Sequence, residues 1–83
     1  MPRRPKETKV VHKKLGNYWG WAYIDENKIE IDERLHGYRY LLYMLHEHFH
    51  IRHPEWSETK IRKESSATAK FLWQAKFRWT DLG

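Results

Sequence analysis

The sequence predicts a single α+β domain in which a short, twisted antiparallel β-sheet or hairpin is followed by two α-helices. Three observations predict it. Residues 19–32 are rich in aromatic and β-branched side chains, residues 35–51 form a long apolar stretch, and apolar residues recur at helical spacing after Ser57. With 83 residues, the chain is long enough for one domain only.

The first half of the chain contains three candidate strands. Residues 10–15 predict a short strand that ends at the turn-forming pair Gly16-Asn17. Residues 19–24 predict a second strand, and residues 28–32 alternate polar with apolar side chains as a half-buried strand does. Asp25-Glu26-Asn27 lies between these two as a turn, so we expect them to form a hairpin.

The second half predicts two helices. The first covers the apolar stretch from Leu35 to Ile51 and stops at His53-Pro54, because a proline forces the preceding residue out of helical geometry. Ser57 is a good N-cap for the second helix. One inward stripe of that helix is predicted to consist of Ile61, Ser65, Thr68, Leu72, Ala75 and Trp79.

Charge and composition limit the classes of protein to which this chain can belong. The formal net charge is +5, but much of the excess lies in residues 1–9, which we expect to be a flexible basic arm before a domain at residues 10–83. There is no cysteine, so a metal ion would need nitrogen and oxygen ligands. No secretory signal or membrane-spanning stretch is evident, which makes the cytoplasm the expected compartment and excludes membrane insertion.

His46, Glu47 and His50 form an H-E-x-x-H pattern on the first predicted helix. Histidines four residues apart project from one face of a helix and can share a metal ion, here Zn²⁺ at one per chain. Glu47 then lies beside the open coordination position, where it can act as general base on the water that the metal activates. Hydrogen-bonded histidines without metal are the plainer interpretation, but unpaired polar groups are costly on so apolar a helix.

A catalytic zinc usually has three protein ligands. The candidates for the third are His53, Glu55, Glu58 and Glu64. His53 is discounted, because seven residues of helix rise about 10 Å. Glu58 and Glu64 flank the inward stripe of the second helix on opposite sides, and the residue pattern does not separate them.

Three functions fit these features. The first is a zinc hydrolase that cleaves peptide bonds of a peptide or protein substrate. The second is a module that binds nucleic acid or protein through the basic arm and the positive charges Arg62, Lys63, Lys70, Lys76 and Arg78. In the third the zinc is structural, and a protein group such as His53 fills the fourth position. Trp19, Trp21 and Tyr23 could line a substrate groove, although packing within the sheet is the favoured role for most of them.

The chain also resembles a family of small phage and bacterial proteins classed as metallopeptidases. The shared pattern is I-x-I-D, then L-x-H-E-x-x-H, P-x-x-S-E and a final L-W. It stands here as Ile29 to Asp32 with Arg34-Leu35, Leu45 to His50, Pro54 to Glu58, and Leu72-Trp73.

The resemblance implies a minimal zincin fold with a second helix closing the metal site. It also implies that Glu58 completes the ligand set. In that family the recurrent acidic residue after the helix is the glutamate of the S-E pair, and the position of Glu64 is usually apolar. The sequence departs from the pattern at His48, Phe49 and Lys76, none of which is a proposed ligand.

Overall fold

The computed structural model describes residues 7–76, which fold into a three-stranded sheet and two helices, so the predicted α+β class is confirmed. The elements are β1 (Lys9–Lys13), β2 (Gly20–Tyr23), β3 (Lys28–Asp32), α1 (Gly37–Arg52) and α2 (Glu58–Gln74). A single 3₁₀ turn, Ile24–Glu26, stands where the turn between β2 and β3 is predicted.

The sheet is mixed, with the strand order β1-β3-β2. β2 and β3 form the predicted antiparallel hairpin, in which Gly20 lies opposite Ile31. β1 pairs with the other edge of β3 in parallel, so the sheet is not antiparallel throughout. β1 begins at Lys9, within the predicted basic arm, and residues 1–6 of that arm lie outside the described residues.

Asp32, at the end of β3, ties the sheet to the segments around it. Its buried carboxylate accepts hydrogen bonds from the backbone N–H groups of Leu15 (3.0 Å) and Arg34 (2.9 Å). The Arg34 guanidinium donates two more, each at 2.8 Å. The chain that leaves β1 is therefore fixed against the end of the central strand.

The core lies between the sheet and α1. It is built from Ile29, Ile31, Leu35 and Ile51, with the side chains of Trp19, Ala22, Tyr40, Tyr43 and Met44 packed against it. The polar side of β3 is also covered, although alternation predicts a half-buried strand. Glu30 is buried there because it accepts a hydrogen bond from the Tyr23 hydroxyl (3.1 Å) and lies 3.6 Å from the Lys13 ammonium.

α1 begins at Gly37, two residues later than predicted, and ends at Arg52 just before His53-Pro54, where the prediction places the stop. Only Leu41, Glu47 and Ile51 of this helix are buried. The helix therefore has one buried face and is less enclosed than its apolar sequence indicates.

α2 begins after Ser57, whose hydroxyl accepts a hydrogen bond from the backbone N–H of Lys60 (3.1 Å). The predicted N-cap is thus confirmed. The buried residues of this helix are Ile61, Ser65 and Ala69. In the rest of the predicted stripe, Thr68 and Leu72 are half-buried, Ala75 is exposed, and Trp79 lies outside the described residues.

Within residues 7–76, no helix is both long enough and apolar enough to cross a membrane.

Candidate metal centre

His46, His50 and Glu58 converge at the contact between the two helices. The histidines lie one turn apart on α1, and Glu58 is the first residue of α2, where a carboxylate is favoured by the helix dipole. Glu58 Oε1 lies 2.8 Å from His46 Nε2, and Glu58 Oε2 lies 3.2 Å from His50 Nε2. The short turn at residues 53–57 makes this possible by folding α2 back across the end of α1.

The spacing and chemistry of this group could hold a metal ion such as zinc. One ligand atom from each residue lies within 4.8 Å of the others. Bonds of about 2.0–2.1 Å in a tetrahedron put neighbouring ligand atoms about 3.3 Å apart. The two distances from the Glu58 oxygens to the histidine nitrogens, 2.8 and 3.2 Å, are of this order. Two imidazoles and one carboxylate form a donor set that zinc enzymes use, and the fourth position is left for water or substrate. The chemistry of these three residues therefore suits a zinc ion.

Burial of His46 favours the form of this side chain that binds metals. Burial is the largest cause that lowers the pKa of His46, and the positive charges of His50 and Arg62 lower it further, while Glu58 acts in the opposite direction. The net lowering favours the neutral imidazole, which is the form that binds metals.

Glu47 lies beside the group, buried against β2. A Cβ atom placed on Gly20 would lie 3.0 Å from Glu47 Cγ and 3.1 Å from its Oε2, so Glu47 packs close to the space that a side chain at the start of β2 would need. Burial, and secondly the negative charge of Glu58, raise the pKa of Glu47 to about 7. A carboxyl group with this pKa can both take up and release a proton near neutral pH.

A cleft of about 210 Å³ opens over Glu47, His50 and Glu58. Its other wall comes from β2 and the turn after it, through Trp21 and Ile24. Trp21 is 50% exposed, so this tryptophan faces the cleft and not the core. By contrast, Trp19 packs on the core, as the sequence favours.

The remaining ligand candidates lie outside the group. His53 stacks on Trp56 with ring centroids 3.7 Å apart, and its Nδ1 lies 3.7 Å from Glu55 Oε2. Glu64 is half-buried elsewhere on α2 and does not join the three ligands. The geometry thus brings Glu58 to the two histidines, and not Glu64 or His53. His53 is therefore not in place to be the fourth ligand of a structural zinc ion.

The positive charges of the binding-module interpretation are spread along one helix. Arg62, Lys63 and Lys70 are exposed on α2, and Lys76 follows its end. Arg78 and residues 1–6 lie outside the described residues.

Comparison of the chain with protein-family models, with curated proteins and with solved structures finds no match. The family resemblance described above therefore stays a prediction, and the chemistry of the site has to be argued from its geometry.

Two residues at the site have signals in the sequence that the motif does not use. Gly20 lies between two tryptophans inside the strand predicted at residues 19–24, and a glycine in such a position often marks close approach of another group to the backbone. Arg62 follows Glu58 by four residues, so it lies on the same side of α2 as the third ligand.

Proposed function

We propose that this protein is a zinc-dependent hydrolase that cleaves peptide bonds. The observation that carries the proposal is the convergence of His46, His50 and Glu58 next to a buried carboxyl group, Glu47, at the floor of an open cleft. A ligand group alone would suit a structural ion. A titratable carboxyl group beside it, facing a cleft, is what hydrolysis additionally requires.

Each side chain has a separate role in this proposal. His46, His50 and Glu58 hold the ion, and zinc bound there would lower the pKa of water and polarise the substrate carbonyl. Glu47 accepts the proton of the attacking water and passes it to the leaving amine. The absence of a side chain at Gly20 leaves room for the Glu47 side chain in this position.

β2 offers a place for an extended substrate. It is an edge strand, since only β3 pairs with it within residues 7–76, and it forms one wall of the cleft. A peptide that added to this edge would pair its backbone with β2 and present a carbonyl group to the centre. Trp21, exposed in the cleft, provides an apolar surface for a substrate side chain.

The first test is zinc content, measured by elemental analysis after saturation with zinc and dialysis. We expect about one zinc per chain in the wild type and in Glu47→Gln, and a loss of zinc in His46→Ala and Glu58→Ala. His48→Ala is the matched control, because His48 lies on α1 but outside the ligand group. A wild type that binds no zinc, or a Glu58→Ala variant that keeps it as tightly as wild type, would contradict the proposed centre.

The second test is hydrolysis of a mixed peptide library, followed by mass spectrometry. Zinc-loaded wild type should cleave the peptides, and chelation should stop cleavage. Glu47→Gln should keep its zinc but cleave at least about 100-fold more slowly, because general acid–base catalysis contributes on this scale. Equal cleavage by wild type and Glu47→Gln would remove Glu47 from the mechanism.

A further inference from the structure

A second groove, of about 460 Å³, lies beside the ligand group and is lined by His46, whereas the first cleft is lined by His50. Its walls include the side chains of Leu42 and Tyr43 from α1 and of Arg62 and Ser66 from α2. His46 and Glu58 also line it, while Glu58 lines the cleft below β2 as well. The two depressions therefore meet at the third ligand, and a substrate lying across the centre would occupy both.

Arg62 is the cation of this groove, and it is not engaged in an ion pair with any residue in the range 7–76. A glutamate four residues before an arginine on a helix ordinarily pairs with it. Here the Glu58 carboxylate is turned to the two histidines, with one oxygen directed at each. The Arg62 side chain is exposed, and it lines the groove together with Ser66.

We propose that Arg62 binds a carboxylate of the substrate in this groove, next to the bond that is cleaved. The planar guanidinium can donate two parallel hydrogen bonds to a carboxylate, and Ser66 can donate a further one. Leu42 and Tyr43 form an apolar wall opposite these donors, which suits the carbon chain that carries the anion. The inference rests on the proposed hydrolase function, because the anion is positioned relative to the zinc centre.

A peptide offers a carboxylate in two ways, at its C-terminus or on an acidic side chain. The two carboxylates differ in their distance from the cleaved bond. When the residue after that bond is the C-terminal one, its carboxylate carbon is three bonds from the scissile carbonyl carbon. When that residue is an aspartate, its side-chain carboxylate carbon is four bonds away. Succinic monohydroxamate and glutaric monohydroxamate reproduce these two spacings behind a group that binds zinc. They can therefore distinguish an enzyme that removes C-terminal residues from one that cleaves before aspartate.

The test is calorimetric binding of these two probes to the zinc-loaded protein, with acetohydroxamate and the neutral amide of each probe for comparison. In the wild type, the preferred carboxylate probe should bind about tenfold more tightly than its amide, as expected for one bidentate pair in an open groove. Arg62→Gln should remove this preference without changing acetohydroxamate binding, and Arg62→Lys should keep part of it. Lys63→Gln, which removes a neighbouring exposed charge, should leave the preference intact.

The outcomes separate this proposal from the one on which it rests. Equal binding of each carboxylate probe and its amide, together with normal acetohydroxamate binding, would overturn the carboxylate subsite and leave the zinc centre standing. A preference that survives in Arg62→Gln, or is lost equally in Lys63→Gln, would also overturn it. A protein that binds neither zinc nor acetohydroxamate would overturn both proposals.

Discussion

The contact between Gly20 and Glu47 gives a sharp prediction, because it links the sheet to the proposed general base. In Gly20→Ala the new methyl group would lie 3.0 Å from Glu47 Cγ and 3.3 Å from Ile31 Cδ1. Ordinary contact begins at 3.4 Å, so Glu47 has to move by about 0.4 Å. Ile31 is fully buried and can yield little. Overpacking of this kind costs about 1–3 kcal/mol.

The free energy of unfolding should be measured by urea titration in the presence of a chelator, so that zinc does not contribute. Gly20→Ala should lose about 1–3 kcal/mol, and its thermal midpoint should fall by about 4–8 °C for each kcal/mol. The same substitution in a Glu47→Ala background should cost less, by about 1 kcal/mol, because the closest contact is then absent. The difference between alanine and glycine in the unfolded chain is common to both backgrounds and cancels.

The functional part of the prediction is separate. Gly20→Ala should still bind about one zinc per chain, because the atoms nearest the new methyl group belong to Glu47 and Ile31 and not to the three proposed ligands. Peptide cleavage should be slower, because the Glu47 carboxyl group is displaced. An equal cost of Gly20→Ala with and without the Glu47 side chain would refute the reasoning, since the packing of Glu47 against β2 would then not be the source of the effect.

Three further predictions concern the fold. Ile61→Ala should destabilise the protein by about 2–5 kcal/mol in urea titration, because Ile61 is fully buried on α2. Ser57→Ala should cost about 1 kcal/mol in the same assay, through loss of the hydrogen bond from the Lys60 N–H. Hydrogen bonding from Arg34, more than any other cause, holds the pKa of Asp32 well below its ordinary value. The stability from this shift is present above the unfolded pKa of about 3.9 and is lost as the pH falls towards the folded value. The urea midpoint should therefore decline below about pH 4, and less steeply in Asp32→Asn.

Matched controls make these results specific. Lys63→Ala removes an exposed side chain from the same helix as Ile61 and should change stability little. Ser57→Thr keeps the capping hydroxyl and should keep most of the stability. Asp25→Asn removes an exposed carboxylate and should not alter the decline at low pH. If Asp25→Asn and Asp32→Asn had the same effect, the pairing of Asp32 would not be the cause.

The order of elements could be predicted because each has a local signal. The hairpin, the stop before Pro54 and the cap at Ser57 follow from residues within a few positions of one another, and the structure confirms all three. The parallel pairing of β1 could not be predicted in this way. It depends on a contact between segments far apart in the chain, which includes the hydrogen bond from Leu15 to Asp32.

The candidate site likewise has a part that local sequence predicts and a part that it does not. The spacing of His46 and His50 defines their shared face, but the third ligand depends on how the turn at residues 53–57 orients α2. Both Glu58 and Glu64 satisfy the periodicity, and only the packed helices bring Glu58 to the histidines. The sequence marks Gly20 and Arg62 as unusual positions, but which side chains lie near them depends on distances between elements, which a sequence pattern does not contain.

The placement of the ligands also bears on what the zinc would do. His50 and Glu58 are only eight residues apart, and the helices that carry them are already packed together around Ile61 and Ser65. An ion bound there would link two positions that are close in the chain, so the link would remove little conformational entropy from the unfolded chain. We infer that loop closure by the ion would add little to the stability of the fold. Two histidines and two carboxyl groups kept together beside the cleft are therefore better explained by the proposed hydrolytic chemistry than by structural support.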